Sequence, residues 1–96
     1  MANRKRTPPV EEGRRLATCD RGPLEELRIT WQEYQGHPFV NVRVWERGTD
    51  GAWYPKPDRG VALKVRELLR VSHAIDAAVR ISRGEDVQVD PPDPPL

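Results

Sequence analysis

Between residues 34 and 45 the chain reads YQGHPFVNVRVW. Three valines alternate there with Phe39, Asn41, Arg43 and Trp45, and Tyr34 leads the stretch. A strand with one solvated face normally turns small polar groups to water. Here that face carries rings and a cation. Rings interleaved with arginines suit single-stranded nucleic acid. Bases stack on ring faces at about 1–3 kcal/mol each, and arginines take phosphates or stack themselves. A paired base offers no free face, so the pattern favours single strands over duplex. The same residues would also serve as a protein-docking patch, or as a small second core covered by the N-terminal arm or another subunit. The pattern alone leaves all three open.

The element that positions these groups is a hairpin. With residues 25–34 and 37–46 as strands around Gln35-Gly36, paired residue numbers sum to 71 and Tyr34 faces His37. One face then pairs Leu27 with Val44, Ile29 with Val42 and Trp31 with Val40, all apolar. The other pairs Arg28 with Arg43, Thr30 with Asn41, Gln32 with Phe39 and Tyr34 with His37, and Trp45 continues it. An odd loop would invert the parity and mix the faces, so the pattern requires a loop of two or four residues. Gln is not the preferred first residue of the tightest turn, which favours four. Directly opposed arginines repel by tenths of a kcal/mol, and an anion between them would remove that cost. The expectation is an apolar core face and an open face of rings and cations.

Beyond the hairpin the period stays near two up to residue 63, with turn signals at Gly48-Thr49-Asp50-Gly51 and across residues 55–60. It then becomes helical. Val65, Leu68, Leu69, Ser72, Ile75 and Val79 form one stripe over residues 64–83, and Gly84 supplies the stop. Three or four strands followed by one helix predict an α+β unit, a meander with a helix on one face. About 60 folded residues bury little surface alone. With no disulfide to assist, a homodimer is expected through the stripe of Leu68, Leu69, Ser72, Ile75 and Val79.

The flanks differ from this body. Residues 1–23 hold six basic residues and three acids, a net of +3; residues 84–96 hold four acids and no base, a net of −4. Against a whole-chain charge of +1, the middle carries +1 − 3 + 4 = +2. Both flanks lack core-forming periodicity, so the reading is a disordered basic arm (1–23), a folded domain (24–83) and a disordered acidic, proline-rich tail (84–96). A basic arm and an acidic tail fit a nucleic-acid or regulatory protein better than a metabolic enzyme.

Other chemistry finds little support. Cys19 is the one cysteine, so an internal disulfide and a cysteine metal cluster are excluded. His37 and His73 make a poor zinc set. No Ser-His-Asp arrangement or phosphate-cradling glycine loop is present, and Glu11-Glu12 and Glu25-Glu26 read as solvated acids. No enzyme, no metal and no cofactor are expected. No apolar run reaches a signal-peptide core or a membrane span, so an intracellular protein without membrane contact is expected.

LRITWQEYQGHPFVNVRVWERGTDGAWYPKPDRGVAL followed by a helix resembles the C-terminal domain of the transcriptional coactivator family called positive cofactor four, with its bacterial and phage relatives. The resemblance spans about residues 25–83. It rests on Tyr34-x-Gly36, Val40-x-Val42-Arg43, Asp50-Gly51-x-Trp53 and Arg59-Gly60-Val61-Ala62-Leu63 in that order. It implies a curved four-stranded antiparallel meander, one C-terminal helix, a homodimer, and single-stranded DNA binding in transcription. By position, Tyr34 matches the stacking ring at the hairpin tip, Arg43 the channel arginine, and Arg59 a basic residue before the glycine at Gly60. The departures are Gln35 and His37 where lysines are usual, Glu46 where a stacking tryptophan is usual, and one extra residue in PKPDRG, which leaves the register of Lys56 open. Fewer cations predict weaker binding.

The site set is therefore Arg28, Tyr34, His37, Phe39, Arg43, Trp45, Lys56 and Arg59, with single-stranded DNA or RNA as ligand. RNA polymerase or transcription factors are the protein partners such a role would bring. The rival is a protein-interaction module docking on the transcription machinery. The compartment would be cytoplasm or nucleoid in a bacterium or phage host, and the nucleus in a eukaryote.

Overall fold

The computed structural model describes residues 9–87. The Arg4-Lys5-Arg6 triplet and most of the acidic tail lie outside them. Four strands precede one helix: β1 (Arg14–Asp20), β2 (Glu25–Tyr34), β3 (His37–Arg47), β4 (Trp53–Lys64) and α1 (Val65–Ser82). The strands make one antiparallel sheet in the order β1-β2-β3-β4, an open meander.

The β2–β3 hairpin has the register the side-chain pattern requires, from Glu25 opposite Glu46 to Tyr34 opposite His37. Its loop has two residues rather than four. Gln35 and Gly36 both take positive φ, 51° and 80°, as a type I′ turn demands. Gln35 accepts this strain because a two-residue loop must take a primed turn to match the twist of the flanking strands, and type I′ needs positive φ at both positions.

The first strand revises the reading of residues 1–23 as a disordered arm. Residues 14–20 pair with β2, with a bulge between Arg15 and Ala17. That extra residue, Leu16, inverts the alternation halfway along a seven-residue strand, so no period of two survives. All seven residues are exposed, so the strand also lacks the apolar face that marks strands in a sequence. Gly13 opens β1 at φ 77°, and a Cβ there would lie 2.0 Å from the Trp31 carbonyl oxygen. Only glycine lets the chain approach β2 so closely.

A larger irregularity divides β4. Arg43 is opposite Gly60, but Trp45 is opposite Pro55. One β3 residue, Val44, therefore faces the four residues 56–59. The two prolines in PKPDR cannot donate to a ladder, so the strand bows out where they fall.

The expected core face forms, and Val40 and Val44 are buried on it, but Trp31 stays 39% exposed. The face expected to be open is no less covered: Thr30 is 2%, Arg28 7% and Trp45 7% exposed. The register matches the side-chain pattern and the exposure does not, because Glu11 and the face's own long side chains cover its centre.

Helix α1 runs 18 residues, about 27 Å. It closes with a Schellman motif. The N–H of Glu85 donates to Arg80 O at 3.1 Å, and that of Gly84 to Ile81 O at 2.9 Å, with Gly84 at φ 85°. No residue of α1 is buried. Leu69, Ile75 and Val79 of the apolar stripe are exposed, Leu69 by 70%.

Candidate nucleic-acid interface

Pairing register fixes which side chains share the ring face. β2 gives Arg28, Thr30, Gln32 and Tyr34. β3 gives His37, Phe39, Asn41, Arg43 and Trp45. Across from β3, β4 adds Ala62 and Lys64 above its bulge and Pro55 and Trp53 below it. β1 adds Arg15, opposite Thr30, and Thr18, opposite Arg28. Arg15 has no legible parity in the sequence, because β1 is not visible there. Trp53 stands in the Asp50-Gly51-x-Trp53 motif, but its side of the sheet follows only from the bulge.

At the centre of the face Arg28 and Trp45 take each other as partners. The Arg28 guanidinium lies 4.0 Å from the Trp45 ring centroid and 5.9 Å from that of Trp53, a cation–π arrangement. Its Nε donates to Glu26 at 2.6 Å and its Nη1 to Glu11 at 3.3 Å. A buried arginine is tolerable only when so paired. Trp45 thus points into the ring face, and its stacking surface is taken by a guanidinium of the same chain.

Arg43 turns away from Arg28 although the two are directly opposed. Its Nη1 donates to the carbonyls of Lys56 at 2.6 Å and Pro57 at 3.0 Å. The guanidinium lies over Gly60, where a Cβ would sit 2.5 Å from Cζ. Bulge carbonyls left without a ladder partner are thereby satisfied. The anion that the opposed arginines called for is supplied internally, by Glu11 and Glu26 on one side and by carbonyl dipoles on the other.

The hairpin tip is the open part. Tyr34 is 67% exposed, and its hydroxyl accepts from Gln35 Nε2 at 3.4 Å. His37 is exposed across from it, and Phe39 is half-buried next along the face. Three nominated residues therefore stand together at one end, all on rigid strand.

Lys56 and Arg59 are elsewhere. Lys56 Nζ donates to Glu46 at 2.7 Å, and Arg59 Nη1 to Glu25 at 2.9 Å. Glu25 and Glu46 oppose each other and alternate with Leu27 and Val44, on the apolar side of the sheet. Two like charges face to face are neutralised there by the two cations. The hydrogen bond that Lys56 donates to Glu46, and then the Glu46 charge, raises the Lys56 pKa above the ordinary lysine value. The sheet does not bring Lys56 and Arg59 to the face of Tyr34.

A cleft of about 270 Å³ lies on the ring face. Its walls are Gln32, Asn41, Arg43, Trp45 and Pro55 on the sheet side, and Pro9, Val10 and Glu12 on the other. Among the described residues no three His, Cys, Asp or Glu side chains are grouped to hold a metal ion, and no helix is long and apolar enough to cross a membrane.

No family model matches the chain, and no curated protein matches it. Two solved structures do. Both are of a PC4 homolog from Burkholderia pseudomallei. The orthorhombic crystal form has a TM-score of 0.66 at 24% identity, covering 75% of this chain and 96% of that one. The tetragonal form has a TM-score of 0.64 at 25% identity, covering 72% and 100%. The chain shares the fold of these PC4 homologs, in agreement with the family that its sequence resembles.

Proposed function

We propose that this chain is a non-enzymatic, single-stranded-nucleic-acid-binding protein that works as a homodimer in transcription or in the handling of melted DNA. The observation that carries the reading is the ring face itself. Tyr34 stands open at its tip, with His37 and Phe39 beside it, on a sheet whose fold is that of PC4 homologs. Tyr34 and Phe39 stack bases. Arg28 and Trp45 form a rigid floor, and Arg43 and Arg15 supply charge along the path of the backbone. Lys56 and Arg59 act at the far side of the sheet and contribute only to the general field.

The dimer forms through α1. Leu69, Ile75 and Val79 lie on one stripe and are exposed among the described residues, and a second copy of the stripe is the matching cover.

One observation favours the rival reading, a protein-docking module. Arg28, Lys56 and Arg59 are each ion-paired within the chain, which lowers the charge left for phosphates. A titration of a fluorescent oligonucleotide, followed by anisotropy, separates the two. Tyr34→Ala is expected to weaken binding about five- to one-hundred-fold, the worth of one stacked base, with the dimer intact. Unchanged affinity in Tyr34→Ala would favour the docking module. Parallel DNA and RNA oligonucleotides distinguish the two ligands.

A further inference from the structure

We infer that residues 9–12 are a built-in occupant of the ring face, which a nucleic-acid strand must displace in order to bind. The inference rests on the reading of that face as a single-strand site. It starts from Gly13, which fits against the Trp31 carbonyl as no other residue can and so fixes where the preceding residues leave the sheet. From there Glu11 reaches two arginines of the ring face. Its carboxylate accepts from Arg15 Nε at 2.8 Å and from Arg28 Nη1 at 3.3 Å. Pro9, Val10 and Glu12 wall the cleft whose other side is Asn41, Arg43 and Trp45.

A carboxylate bridging two arginines is what a backbone phosphate would do in the same place. Pro9 and Val10 line only the rim of the cleft and stay exposed, Val10 by 87%. The segment therefore imitates a ligand in charge, through Glu11. Arg28, with its side chain only 8% exposed beneath this cover, becomes reachable when Glu11 leaves, and Glu26 keeps it paired meanwhile. Apparent affinity is reduced by the fraction of time the face is covered. Any partner that draws residues 9–12 away would strengthen binding without touching the ligand.

The test uses the full chain and a labelled oligothymidylate at low salt. Glu11→Gln with Glu12→Gln is expected to tighten binding roughly three- to ten-fold, since two partly covered ion pairs no longer compete. Asp76→Asn with Asp86→Asn, both at exposed positions, removes the same two charges, is the control for net charge and should shift affinity less than two-fold. Glu12→Gln alone, at an exposed position, should move affinity in the same direction by less, and serves if the Glu11, Glu12 variant loses stability. A gain in the Glu11, Glu12 variant that is no larger than in the Asp76, Asp86 variant, or a loss, overturns the inference and leaves the single-strand reading standing. Absence of binding in both the parent chain and the Glu11, Glu12 variant overturns both.

Discussion

Arg28 and Arg43 sit opposite each other on β2 and β3, yet neither faces a like charge. One stacks on Trp45 under two glutamates; the other spans a bulge. Arg43 is thereby a structural residue beside its proposed phosphate contact, and Gly60 is its socket. Gly60→Ala would put a methyl group into the guanidinium. Because the obstruction is the end of a flexible side chain, the backbone need not move, and the loss is that of two charged hydrogen bonds, about 2 kcal/mol. A thermal melt should show a Tm lower by on the order of 10 °C. In an Arg43→Ala background the same substitution should cost far less, because nothing remains to be displaced. Equal losses in the two backgrounds would mean that Gly60 serves some other purpose.

At the scale of elements, the β2–β3 hairpin sets the geometry of the site, and its turn is its weakest local choice. Gln35 holds φ 51° without the side-chain help that asparagine would give there. Gln35→Asn should stabilise the fold by about 0.5–1 kcal/mol, seen as a higher urea midpoint at unchanged m-value. A lower midpoint would contradict the type I′ assignment. This hairpin is legible in the sequence because its two faces differ in kind from Leu27–Val44 to Gln32–Phe39, so that only one parity keeps them apart. The limits of α1 were legible for a similar reason, a stripe that ends at a glycine stop. β1 was not. Its bulge at Leu16 breaks the only period it has, and none of its residues is buried. The bulge at residues 56–59 was half visible: the prolines marked an irregularity, but the number of residues it absorbs is set by Arg43 and Gly60 across the strands. The burial at the centre of the ring face was not legible because Glu11, which reaches Arg28 there, lies 17 residues away in the sequence and belongs to no pattern. Hence Trp45 and Arg28, read as open binding groups, emerged as each other's partners.

At the scale of the molecule, large apolar side chains are exposed among the described residues. Trp31 and Val61 on the sheet and Leu69, Ile75 and Val79 on the helix are all well exposed. So small a domain can rarely afford this alone. In the proposed homodimer, Leu69→Asp with Ile75→Asp places four charges into the interface and should convert the dimer to monomer, measured by sedimentation equilibrium. A parent chain already monomeric at micromolar concentration would refute the dimer. The central claim is that this sheet takes single strands in preference to duplex. Its most direct test is one anisotropy competition, in which a labelled oligonucleotide bound to the full chain is challenged with unlabelled single strand or with duplex of the same sequence, over a series of salt concentrations. The account predicts displacement by the single strand at much lower concentration than by duplex, and an affinity falling with salt at a log–log slope of about −0.7 per phosphate contacted. Equal competition by the two, or no binding at the lowest salt, would contradict it.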